Sequence, residues 1–186
     1  MNEQYNPWTI LNEKQVYDNK WIGVTEYDVL NPSGGKGIYG KVHFKMLATG
    51  VVALDEELNT YLVGQYRFTL NQYSWEIPEG GCPFDEDPMV AAQRELLEET
   101  GLKAKNWIKI GDMHLSNSVS DEFGHIYLAT GLTQHEAMPE ETEQLAVKKL
   151  PFEEAYQMVN KGIITDSVSV MAIMKVKLML LLGEIV

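Results

Sequence analysis

The chain has one cysteine, Cys82, in 186 residues, which excludes an internal disulfide and fits a reducing compartment, here expected to be the cytoplasm. Basic residues are scarce as well: 15 Lys and Arg stand against 27 Asp and Glu, a formal net charge of -12. Nucleic-acid backbones and anionic membranes are gripped by Lys and Arg that neutralise phosphates, so neither is expected as a partner. A phosphate-bearing ligand of so acidic a protein needs metal ions to bridge it. Unbroken hydrophobic runs are also missing. The most apolar stretch, Val168 to Val186, carries Lys175, Lys177 and Glu184 and is interrupted by Gly183. That falls short of the roughly 20 apolar residues of a membrane span and reads instead as a buried helix capped by Asp166 or Ser167. The opening, MNEQYNPWTI, has neither the basic nor the apolar region of a signal peptide. What is present, 45% hydrophobic residues, is enough for one globular domain with a small appended arm.

In chain order, Trp21 to Leu30 is extended and Asn31-Pro32-Ser33-Gly34-Gly35 is turn chemistry, so a hairpin is expected. Lys41 to Met46 alternates polar and apolar, the pattern of a strand with one buried face, and His43 falls on its polar side. These residues make a β arm over residues 1–48. Gly50 to Leu54 and Thr60 to Tyr66 form a second hairpin that delivers Gln65-Tyr66-Arg67. Ser74 to Gly81 then leads into a helix, and strands follow at Ile108 to Leu115, His125 to Ala129 and Leu145 to Leu150. Ser116 to Gly124 is a polar loop, Gly131 to Glu143 is polar and acidic, and helices at Phe152 to Asn160 and Val168 to Leu182 close the chain. Strands on both sides of one helix predict a layered α/β or α+β domain over residues 49–186.

The helix begins at Asp87-Pro88, because Asp accepts from the orphan amides of a first turn and Pro has no amide to lose there. Gly101 is its expected stop. On it Glu95, Glu98 and Glu99 stand three and four residues apart and crowd one side. From Glu76 to Glu99 eight carboxylates face one cation, Arg94. Oxygen ligands of this density suit hard divalent ions, above all Mg²⁺, which binds through a few carboxylates and substrate phosphates. An acidic run alone is more often an ordinary solvated helix face.

The whole stretch decides between these readings. Gly80, then Glu86, Arg94-Glu95, Leu96, Glu98-Glu99, Gly101 and Leu102, at these spacings, resembles the signature box of the Nudix hydrolases, with every position filled. Seven fixed residue types at roughly 1 in 15 each coincide by chance about once in a million for this length. Gln65-Tyr66-Arg67, Trp75-Glu76-Ile77-Pro78-Glu79-Gly80-Gly81 and the loop ending in Glu122 are similar to the ADP-ribose and nucleoside diphosphate sugar pyrophosphatase branch.

The resemblance implies an α/β/α sandwich with a mixed sheet, preceded by a β arm that packs on the partner of a homodimer. It implies Glu95 and Glu99 as direct ligands of Mg²⁺ (or Mn²⁺ in its place), Glu98 as a direct or water-mediated one, and the Glu79 carbonyl as a further ligand. Arg94 orients these glutamates, Glu86 is structural, and Arg67 and Glu76 meet the diphosphate and the nucleoside. Glu122 takes the place of the general base. Tyr39 and Trp75 are candidates to stack a base, though buried aromatics are commoner than base platforms. The implied reaction is Mg²⁺-dependent cleavage of a nucleoside diphosphate sugar, ADP-ribose included, into a nucleoside monophosphate and a sugar phosphate. Asn117 stands where ADP-ribose pyrophosphatases usually carry proline, which favours a broader range of sugars. The alternatives are a nucleoside triphosphate or dinucleotide hydrolase on the same box, and a non-catalytic ADP-ribose sensor. His114, His125 and His135 lack metal-ligand spacing.

Overall fold

A computed structural model of the protein describes residues 5–136 and 145–185, so part of the acidic stretch read from Gly131 to Glu143 lies outside the described residues. The chain divides into two compact units. Residues up to Met46 together with Ser116–Glu122 form the smaller one, and Leu47–Leu115 with Phe123 onward form the larger. Ser116–Glu122 therefore clusters with the arm, although it lies within residues 49–186.

The smaller unit is a three-stranded antiparallel sheet in the order β1 (Thr9–Asp18), β2 (Ile22–Leu30), β3 (Lys36–Phe44). The expected hairpin is β2 and β3, with Leu30 opposite Lys36. Asn31 closes the turn by accepting from the amides of Ser33 and Gly35 through its side chain. Strand β1 has no counterpart among the sequence expectations. Its residues are exposed throughout, so no burial imposes an alternating pattern on it.

The larger unit is built on a mixed sheet in the order β10 (Ala146–Pro151), β5 (Asn59–Arg67), β4 (Met46–Leu54), β9 (Phe123–Gln134), β8 (Leu102–His114). Two short strands flank this path: β6 (Gln72–Glu76) on β5 and β7 (Glu79–Pro83) on β4. β4 runs parallel to β9, from Ala48 beside Gly124 to Leu54 beside Thr130, and is buried on both faces, which is why it reads as a continuous apolar run. Successive residues point to opposite faces. Val51 and Ala53 of β4, with Tyr127 and Ala129 of β9, meet Ala92 and Leu96 of helix α1 (Pro88–Thr100). Val52 and Leu54, with Ile126 and Leu128, meet the other layer, Ala155 and Met158 of α2 (Phe152–Asn160) and Ala172, Ile173 and Val176 of α3 (Ser167–Leu182). The result is the α/β/α sandwich with a mixed sheet. Among the described residues no helix is long and apolar enough to cross a membrane.

Candidate active site

Helix α1 starts and stops where its local chemistry dictates. The Asp87 carboxylate accepts from the amides of Met89 (2.8 Å) and Val90 (3.4 Å), Pro88 opens the first turn, and Gly101 at φ 72° ends the helix with its amide on the Leu97 carbonyl. These ends fix the rotation of the helix. Leu96 goes to the core, and Glu95, Glu98 and Glu99 go to the side that faces β7.

Arg94 collects the acidic groups. Its Nη1 donates to Glu95 Oε1 (2.7 Å) and Glu98 Oε2 (3.2 Å), while Nη2 donates to Glu86 Oε2 (3.1 Å) and the Gly81 carbonyl (2.9 Å). One planar guanidinium thus ties the turn before the helix, strand β7 and two helical carboxylates together. Paired first with Glu86 and then with Glu95, Arg94 is held more firmly protonated than an ordinary arginine. Glu99 is 4% exposed and accepts from the Glu79 amide at 3.0 Å. Gly80 passes so close to α1 that a Cβ there would collide with the Glu95 carboxylate. The missing side chain at Gly80 leaves room for the Glu95 carboxylate in this position, and the Gly80 carbonyl in turn accepts weakly from Thr49 Oγ1 (3.4 Å).

A second charged group lies at the end of the β5–β6 hairpin. Arg67 Nε donates to Glu76 Oε1 (2.9 Å), its Nη2 reaches Glu76 Oε2 as well, and Nη2 also meets Glu79 Oε1 at 3.1 Å. Glu76 is 3% exposed. Burial works against the Arg67 charge, but Glu76 and Glu79 outweigh it and raise the guanidinium above its ordinary value. Burial, with the Asp166 and Glu76 charges beside it, pushes the Glu79 carboxyl well above the usual carboxylate range. Glu79 Oε2 is buried and has no donor among the described residues. Asp166 is also the cap of α3, accepting from the Ser169 amide at 2.7 Å. Ser169 Oγ accepts from the Ile77 amide at 3.0 Å, so the start of α3 supports the segment that joins Glu76 to Glu79. The place of Asp166 beside Glu79 has no signal in the sequence, where Asp166 stands only as a cap candidate.

Trp75 packs partly against the core, meets Tyr73 edge-on at 5.5 Å and carries the Lys148 ammonium 4.3 Å from its ring centre. In the larger unit Arg67 joins Glu76 and Glu79, Arg94 joins Glu95 and Glu98, and the Glu79 amide links Glu99 to the first group, while the ring of Trp75 meets Tyr73 and Lys148 instead.

Tyr39 and Glu122 belong to the smaller unit. Tyr39 donates its hydroxyl to the Ser118 carbonyl (2.7 Å) and meets Trp8 edge-on at 5.4 Å. Both rings line a cleft of about 430 Å³ with Tyr27, Lys41 and Asn117. Trp8 and Tyr27 are additions to the sequence reading, since nothing local marks them as neighbours of Tyr39. Glu122 is half-buried and follows Asp121, which holds Lys41 at 2.8 Å and His43 at 2.6 Å. Burial resists its ionisation, but Lys41, His43 and the Phe44 amide hold the Asp121 carboxyl far below the usual range.

Five carboxylates, Glu76, Glu79, Glu86, Glu95 and Glu98, share two guanidiniums in the larger unit, and a sixth, Glu99, accepts from the Glu79 amide. Among the described residues, no three or more His, Cys, Asp or Glu side chains converge on one point, and Arg94 bridges Glu95 and Glu98. The donor set is nevertheless all hard oxygen, in excess of its cations, and the side-chain-free Gly80 lets a backbone segment lie against Glu95. Those features fit a divalent cation of the Mg²⁺ type.

Residues 44–167 match the NUDIX domain family, and residues 8–42 match the family described as the nucleoside diphosphate sugar hydrolase N-terminal domain. The chain is similar to an ADP-ribose pyrophosphatase of Mycobacterium tuberculosis, 34% identical over 153 residues that cover 80% of this chain and 73% of that protein. It is 32% identical over 168 residues to an ADP-ribose pyrophosphatase of Bacillus subtilis, covering 89% of this chain and 90% of that one. A methanol dehydrogenase activator of Bacillus methanolicus is 32% identical over 180 residues, 96% of each chain. Among solved structures, an ADP compounds hydrolase superposes with a TM-score of 0.84 at 20% identity, covering 96% of this chain and 97% of that one, a similarity of fold.

Proposed function

The chain belongs to the NUDIX domain family and is a pyrophosphohydrolase, and from that premise we propose that it hydrolyses nucleoside diphosphate sugars, ADP-ribose among them, with Mg²⁺. The products are a nucleoside monophosphate and a sugar phosphate. The observation that carries this reading is the junction of β7 and α1, where Gly80 lies against Glu95 and Arg94 gathers Glu86, Glu95 and Glu98.

In this proposal Glu95, Glu98, Glu99 and the Glu79 carbonyl hold Mg²⁺, for which Mn²⁺ can substitute. A cation held there would neutralise charge on the phosphoryl oxygens and lower the pKa of water toward neutrality. The chain's own residues do the rest. Arg94 spaces the glutamates, and Glu86 anchors Arg94. Arg67 meets the diphosphate and Glu76 the nucleoside or its ribose, the pair being held ready by their mutual bonds. Glu122 takes the proton of the attacking water. Tyr39 offers its ring to a base, and Trp75, packed under Lys148 and beside Tyr73, shapes the hairpin that carries Arg67 and Glu76. The nucleotide-sugar class is supported by the match of residues 8–42 and by the pyrophosphatase relatives. Asn117 in the position usually held by proline favours a range wider than ADP-ribose alone. The working enzyme is a homodimer joined through the arm.

A hydrolysis screen over ADP-ribose, GDP-mannose, UDP-glucose and nucleoside triphosphates with Mg²⁺ tests the proposal. Turnover should be highest on one or more of the nucleotide sugars. Triphosphate turnover well above all of them would replace it with the triphosphatase reading.

A further inference from the structure

The loop Ser116–Glu122 is fastened to a single strand of the arm, by the Tyr39 hydroxyl on the Ser118 carbonyl, by two backbone bonds and by three contacts of one side chain. Asp121 Oδ2 meets Lys41 Nζ (2.8 Å) and His43 Nδ1 (2.6 Å), and its Oδ1 accepts from the Phe44 amide (2.9 Å). The Asp121 amide donates to the Val42 carbonyl (3.2 Å), and the Val42 amide donates to the Val119 carbonyl (2.8 Å). Ser120 forms a parallel bridge with Val42, so the loop adds a short rung to the edge of β3. Both carboxylate oxygens of Asp121 and its amide are thus committed to residues 41–44, and the next residue is Glu122.

Polar loops of this kind are mobile unless tied down, and a general base has to be placed within hydrogen-bond reach of the water it deprotonates. We propose that Asp121 is a positioning residue for the hydrolysis: by clamping the loop to β3 it sets the place of Glu122. The inference rests on the reading of Glu122 as the base, and it adds a task for the arm in the chemical step itself. Lys41 and His43 then act on turnover through Asp121.

The test uses the full-length enzyme with ADP-ribose and Mg²⁺. Asp121→Ala should lower kcat by about tenfold to a hundredfold, the scale expected when a reacting group is misplaced by about 1 Å, with KM changed less than about threefold. Asp121→Asn, which keeps an acceptor for the Phe44 amide, should fall between this variant and the parent, and it serves if the alanine variant does not fold. In a Glu122→Gln background, Asp121→Ala should cost no more than about twofold further, because the group it positions is already disabled. Losses that multiply in the double variant would overturn the proposal, since Asp121 would then act by another route. Full kcat in both Asp121 variants beside a crippled Glu122→Gln would overturn the proposal alone. Full kcat in Glu122→Gln itself would overturn the base assignment and the proposal with it.

Discussion

At the scale of single residues, Gly80 and the box glutamates set the sharpest expectations. In Gly80→Ala the new methyl would collide with the Glu95 carboxylate, the free end of a flexible side chain, and not with backbone. The carboxylate can swing away, so thermal stability should change by less than about 1 kcal/mol. Turnover should fall by roughly a hundredfold, because displacement of a positioned group by about 1 Å has that effect. A stable variant with parental turnover would show that the Glu95 position does not matter. Glu98→Gln and Glu99→Gln should each lower Mg²⁺-dependent kcat by about a hundredfold or more, several kcal/mol of lost charge stabilisation, while unfolding as the parent does. In Glu99→Gln the side-chain carbonyl would still accept from the Glu79 amide, which separates ligation from folding. Full activity in that variant would remove the metal assignment. Asp55 gives a pH test. Burial resists its ionisation, but Lys149 at 2.7 Å and the amides of Asn59 and Glu57 outweigh it and hold its carboxyl down at about 2. An unfolded Asp titrates near 3.9, so this stabilisation is complete above about pH 4 and is lost as the pH falls through about 2. Asp55→Asn should therefore unfold at lower denaturant than the parent at pH 7, with the gap closing between about pH 4 and pH 2. A gap independent of pH would refute the ionic origin.

At the scale of elements, the start of α3 is a support for the segment between Glu76 and Glu79. Ser169 is fully buried and its hydroxyl is the partner of the Ile77 amide. Ser169→Ala should cost about 1–3 kcal/mol in chemical denaturation, the penalty of a buried donor left unpaired; a loss below about 0.5 kcal/mol would mean that Ile77 finds another partner. How much of this is legible in the sequence varies with how local its cause is. Helix α1 can be read to its caps, because Asp87, Pro88 and Gly101 act within a turn of their own positions. Strand β7 cannot, because Glu79-Gly80-Gly81-Cys82-Pro83 has no strand propensity and is held extended by β4. The contact of Arg67 with Glu76 depends on the register of β5 against β6, and the closeness of Asp166 to Glu79 depends on tertiary packing, so neither has a sequence signature. Strands β8 and β9 are longer than the expected Ile108 to Leu115 and His125 to Ala129: the added start of β8 sets Leu102, Ala104 and Trp107 against the core among lysines and Asn106, too mixed a run to read as a strand, and the added end of β9 fades into part-exposed and exposed residues.

At the scale of the molecule, the arm exposes apolar side chains that a lone sheet has no reason to keep. Ile38 is 70% exposed, and Ile10, Leu11, Val16, Tyr17 and Trp21 are also exposed. Burial of such a set against a second copy is the ordinary remedy. Sedimentation equilibrium should give twice the 21.1 kDa chain mass for the parent and a single chain mass for Ile38→Asp. A parent that stays monomeric at micromolar concentration would remove the dimer from the proposal.

The parallel pairing of β4 with β9 also determines when the enzyme can come into being. As the chain emerges during synthesis, β4 and the whole of α1 appear first, and the apolar side of α1, Ala92 and Leu96, has half its floor missing until Tyr127 and Ala129 arrive. A contact so distant in sequence closes late, which slows folding and leaves early apolar surface uncovered. A nascent chain stopped before Phe123 already carries every glutamate of the box and still lacks the strand on which their helix must rest.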